Sequence, residues 1–136
     1  MVEIKRETDI SIVDKIKGNF VEDGAYTQDV CADEIKRGMV GDNSDVCILV
    51  GWDGDKIVGH IVAWVVPDRD YIWLDQCYNS SDPEVAQKGF VLLESWCVMK
   101  KIYKIKGEST RKSLPVHRRF GFEEHGVMMV KELSHG

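Results

Sequence analysis

The stretch VCILVGWDGDKIVGHIVAWVV, residues 46–66, decides the fold. Two dense apolar runs flank Asp53-Gly54, and a short turn of that composition between β-rich segments is the strongest local signal for a hairpin. Residues 46–52 and 56–66 are therefore expected to be two antiparallel strands. Pro67-Asp68-Arg69-Asp70 supplies the next turn, and the aromatic and aliphatic residues of 71–78 predict a third strand. A three-stranded meander is the minimum.

Downstream the period changes. Asn79-Ser80-Ser81-Asp82-Pro83 reads as a helix entry, with Asp82 as N-cap and Pro83 at the first helical position. Residues 84–103 then place Val85, Ala86, Gly89, Phe90, Leu93, Trp96, Cys97 and Tyr103 on one face of a long helix. Residues 104–108 predict a short strand, 114–119 one or two helical turns, and 122–133 a last strand containing Val127-Met128-Met129-Val130. Upstream, Thr8-Asp9 is expected to cap a short helix that stops at Gly18, and a second helix is expected from about Gln28 to Met39, burying Val30, Cys31 and Ile35. A strand, a long crossover helix and a strand in succession imply two parallel neighbours. The expected class is thus α/β (α+β): a mixed, mostly antiparallel sheet with helices on both faces and one parallel pair after the long helix.

At 136 residues the chain fits one domain, 1–136, and its 43% hydrophobic and 30% charged composition excludes disorder and low-complexity repeats. No apolar run approaches the roughly 20 residues that span a bilayer, and Met1 to Glu7 is too charged for a secretory signal, so no membrane partner and a cytoplasmic location are expected. Cys31, Cys47, Cys77 and Cys97 form no C-x-x-C pair and the four histidines no metal ladder, so no metal is expected and the thiols read as small hydrophobes. No phosphate-loop, dinucleotide, zinc-protease or nucleophile-elbow motif is present. His60, among Ile and Val in mid-strand, reads as a half-buried, hydrogen-bonded side chain. The net charge is −5, yet residues 100–119 hold eight of the 18 basic residues against one acid, Glu108. A basic patch on an acidic body suits a small polyanion such as a nucleotide-bearing cofactor, and argues against nucleic acid.

Residues 116–133, VHRRFGFEEHGVMMVKEL, carry a more specific signal. A short basic segment, an aromatic Gly-Phe turn at Gly121-Phe122 and a strand closing on Met129-x-Lys131-x-Leu133 resemble the C-terminal signature of the Gcn5-related N-acetyltransferase (GNAT) family. With the Asp53-Gly54 hairpin, the resemblance covers about Val46 to Leu133. It implies acetyl transfer from acetyl-CoA to an amine of a small-molecule or peptide acceptor. The cofactor would lie in a V-shaped opening between the third meander strand and the next, its pantetheine arm against the backbone of Gln76, Cys77 and Tyr78. The family's tyrosine acid falls on His117 here, and Asp75 is the nearest candidate base; its other reading is a carboxylate on the solvent face of the sheet.

The family's phosphate-binding glycine loop at the start of the long helix falls on Glu84, Gln87 and Gly89, of which Gly89 alone matches, with Lys88 beside it as a possible phosphate partner. Asp82 and Glu84 put carboxylates where a diphosphate would lie, a repulsion of about 3 kcal/mol at about 5 Å and an effective dielectric near 20. A second reading follows: a GNAT-fold binding or assembly module, with a homodimer as its candidate assembly, that has lost the cofactor site.

Overall fold

The computed structural model describes residues 1–22, 24–41, 44–108, 119–125 and 128–134. Its strands are β1 (Val2–Arg6), β2 (Val46–Asp53), β3 (Lys56–Val65), β4 (Ile72–Asn79), β5 (Lys104–Glu108), β6 (Glu123–His125) and β7 (Met128–Glu132). The helices are α1 (Ile12–Ile16), α2 (Gln28–Met39) and α3 (Pro83–Met99), with a 3-10 turn at Lys17–Asn19. One sheet runs β1-β2-β3-β4-β5-β7-β6, and every pair is antiparallel except β4 and β5. This is the mixed sheet with a single parallel pair that the sequence predicts.

Helices cover both faces, which explains why β2 is a continuous apolar run rather than an alternating one. Cys47 and Leu49 of β2, with Ile61 and Ala63 of β3, pack against Phe90, Leu93, Trp96 and Cys97 of α3. Ile48, Val50 and Val62 point the other way, onto Ile12, Val13 and Ile16 of α1 and Ala32, Ile35 and Met39 of α2. The period of two along each strand thus feeds two cores.

Several boundaries differ from expectation. The hairpin loop is Gly54-Asp55, with Asp53 pairing Lys56 and Gly54 at φ +61°. α1 starts after Ser11, whose amide donates to Asp9 Oδ1, and Gly18 lies inside the 3-10 turn rather than stopping a helix. α2 has the predicted bounds and a Thr27 cap, but Val30 is exposed. α3 ends four residues before Tyr103: Ile102 N donates to Cys97 O and Lys101 N to Val98 O, around a left-handed Lys101 at φ +61°. That closure normally announces itself with glycine, and a lysine there leaves no signal in the sequence. β1, an edge strand rich in charge, and β6 were not anticipated. The predicted helical turns at 114–119 lie outside the described residues except for Arg119.

Gly121, at φ +88°, turns the chain so that Phe120 stacks on Phe90 at 4.6 Å and Phe122 meets the same ring edge-on at 5.9 Å. Lys131 Nζ ties the turn to α3, contacting Glu94 at 2.6 Å and donating to Phe120 O. The C-terminal motif is therefore a clamp on α3.

Candidate active site at the fork of β4 and β5

Among the described residues, β4 and β5 pair over three positions: Ile72 with Ile105, Trp73 with Lys106 and Leu74 with Gly107. On the other side of β4 the register shifts. Val62 pairs with Gln76 and Ala63 with Leu74, leaving Asp75 as the extra residue of a β-bulge. A bulge turns its strand and ends regular pairing. From Asp75 to Asn79, the outer edge of β4 has no strand beside it among the described residues.

Asp75 is half-buried at the apex of this fork. It is not on a free solvent face, because the bulge swings it toward α2. Trp73 Nε1 donates to Asp75 Oδ1 at 3.2 Å. Burial, with the nearby charges of Glu34 on α2 and Glu108 at the end of β5, raises the carboxyl to about 6 against the opposing hydrogen bonds from Trp73 and Gln76. A carboxylate that titrates near 6 is suited to proton transfer at neutral pH.

The other predicted site residues of β4 divide between the two faces. Gln76 is buried, and its Oε1 accepts from Val21 N at 3.0 Å, holding the segment before α2 against the sheet. Tyr78 stacks on His60 at 5.7 Å. Cys77 faces the α3 core, and burial pushes its thiol up to about 11, leaving it protonated and a poor nucleophile at neutral pH. Behind it, Cys77, Tyr78, Val85 and Gly89 help line an apolar cavity of about 30 Å³. That volume holds one or two waters, so a ligand of the β4 edge lies along it and not beneath it.

His60 corrects an expectation. It is buried rather than half-buried, sits edge-on to Phe20 at 5.4 Å, and neither ring nitrogen has a hydrogen-bond partner. Burial alone holds it down at about 4, so it is neutral.

Gln87, Lys88 and Gly89 lie in the second turn of α3, beyond its free amides. Gln87 and Lys88 are exposed, whereas Gly89 is buried against β3, where a Cβ would stand 3.0 Å from Ile61 Cδ1. Gly89 here permits close packing of helix on sheet. His117 lies outside the described residues.

The connection from β4 to α3 has closed on itself. Ser80 N donates to Val58 O at 2.8 Å and Ser81 N to Asn79 Oδ1 at 3.0 Å. Asp82 Oδ1 accepts from Glu84 N at 2.9 Å and Val85 N at 3.3 Å, and Asn79 Nδ2 donates to Asp82 O at 3.0 Å. The family's diphosphate therefore does not fit as it would on a glycine loop, because the amides that would meet it already have acceptors. The polar run 79–83 could have signalled this.

Some of the described residues of the basic window have acidic or aromatic partners. Lys100 pairs with Asp45, Lys104 with Asp70 and Glu132, and Lys106 Nζ lies 4.4 Å from the centre of the Tyr71 ring. These follow α3 or lie on β5, where it is paired with β4 and β7; Arg111, Lys112 and Arg118 lie outside the described residues.

No family model and no curated protein matches the sequence itself. Solved structures do match. The PaiA N-acetyltransferase of Thermoplasma acidophilum, in complex with coenzyme A, superposes with a TM-score of 0.72 at 15% identity, over 97% of this chain and 99% of that one. An acetyltransferase of the GNAT family from Staphylococcus aureus gives 0.73 at 13% identity, over 98% and 100%. An acetyltransferase from Streptococcus agalactiae gives 0.69 at 17%, over 97% and 98%. With a bulged β4 parting from a parallel β5 after a long crossover helix, this chain has the fold of the Gcn5-related N-acetyltransferases.

Proposed function

We propose that the protein is an N-acetyltransferase that moves an acetyl group from a coenzyme A-type thioester to a primary amine. The observation that carries this reading is the Asp75 carboxyl, raised to about 6 at the apex of the fork. The thioester supplies an activated acetyl carbon. The open edge of β4 at Gln76, Cys77 and Tyr78 orients its arm, and Asp75 takes a proton from the ammonium form of the acceptor, directly or through one water. The neutral amine nitrogen bonds to the carbonyl carbon and the carbon–sulfur bond breaks. The nitrogen then releases its second proton while the departing thiolate gains one, giving amide, thiol and one net proton. His117 is assigned that return of the proton from its place in the C-terminal motif, and imidazolium is acidic enough to donate it. The charges of Glu34 and Glu108 around Asp75 favour a cationic acceptor, a small polyamine or a basic peptide end.

A second reading, a binding module without the cofactor site, draws on the closed 79–85 connection. Thermal unfolding separates the two. Acetyl-CoA at a hundred times its Kd should stabilise the native state by about 2.7 kcal/mol and raise Tm by several degrees. An unchanged Tm at millimolar acetyl-CoA would favour the module.

A further inference from the structure

Resting on the acyltransferase reading, we infer that this site holds its acyl donor by the pantetheine arm and makes no contact of consequence with the diphosphate, so its donor class is a pantetheine thioester with or without a nucleotide. Three observations converge. First, the amides of Ser80, Ser81, Glu84 and Val85 all have acceptors inside the protein, and Pro83 has no amide to offer. A phosphate oxygen arriving there would have to displace the Asp82 carboxylate from its bonds to Glu84 N and Val85 N, at 2.9 and 3.3 Å.

Second, the acceptor in that position is itself an anion. Asp82 occupies the positive end of α3 much as a phosphate would, and Glu84 adds a second exposed carboxylate in the first turn. Of the described lysines of the basic window, Lys100 pairs with Asp45, Lys104 pairs with Asp70 and Glu132, and Lys106 lies over the Tyr71 ring, while Lys88 is exposed in the second turn of α3. Third, the other half of the site has chemistry that suits the arm. Past the bulge the outer edge of β4 has no strand beside it among the described residues, and pantetheine is a chain of two amides that such an edge can pair.

The test uses coenzyme A and pantetheine themselves, titrated calorimetrically into the full chain. The wild-type protein should bind the two with Kd values within about threefold. The Asp82→Ser/Glu84→Gln variant keeps a capping oxygen, removes both charges, and should bind coenzyme A at least tenfold more tightly than pantetheine; unfolding midpoints of both proteins confirm that the helix start survives. A wild-type preference for coenzyme A above tenfold overturns the inference and leaves the acyltransferase reading standing. An unchanged ratio in the variant also overturns it, because the carboxylates would then not be what excludes the diphosphate. Failure of both compounds to bind overturns the inference together with the reading beneath it.

Discussion

Asp75→Asn should lower the rate of acetyl transfer by roughly 10²–10⁴, the range expected when a positioned base is lost, and should stabilise the fold at the same time. The two effects share one cause. Burial lifts the Asp75 carboxyl from 3.8 to about 6, so the folded protein binds this proton more tightly than the unfolded chain does. The group's contribution to stability is complete below pH 3.8 and disappears as pH rises through about 6, a change of at most about 3 kcal/mol. Above that window the ionised carboxylate is a cost that asparagine does not carry. Wild-type kcat/KM should rise with pH through about 6 while stability falls over the same interval, and the variant should lose both dependences. A variant that keeps its rate within threefold removes Asp75 from the mechanism. A variant that is inactive but less stable at pH 8 makes it a structural residue instead.

Gly107→Val should destabilise the protein by roughly 2–4 kcal/mol and lower Tm by about 10 °C. Gly107 is the last residue of β5 that pairs with β4, and a Cβ there would stand 2.9 Å from Leu74 O and 3.3 Å from Leu74 Cβ. The obstacle is backbone, which cannot rotate aside as a side chain can. Gly18→Ala is the control, since a Cβ at Gly18 meets nothing within 4 Å. Denaturant unfolding of both variants measures the difference. Equal costs would mean that the strands do not approach closely at the apex.

The sheet was legible because β2, β3 and β4 are apolar enough to be buried on both faces and are punctuated by turn residues. What escaped is what the backbone decides without a residue signature. The bulge at Asp75 is a register shift with no sequence cue, and it moved that carboxylate from the expected solvent face into the fork. α3 stops at a left-handed lysine where glycine would have announced the end. β1 was read only as a charged start, although the order Val-Glu-Ile-Lys-Arg keeps Val2 and Ile4 on the inner side of an edge strand. Asp75, Gln76, Cys77 and Tyr78 were named from the family resemblance and follow one another along the second half of β4. Gln87, Lys88 and Gly89 came from matching a glycine loop, and here the chain supplies its own acceptors in place of that loop.

The outer edge of β4 past Leu74 is where the thioester arm is proposed to lie. Amide hydrogen exchange measures this residue by residue. Saturating coenzyme A should slow exchange across Asp75 to Asn79 and leave the β1 edge unchanged. Unaltered exchange along β4, with protection elsewhere or nowhere, would contradict it.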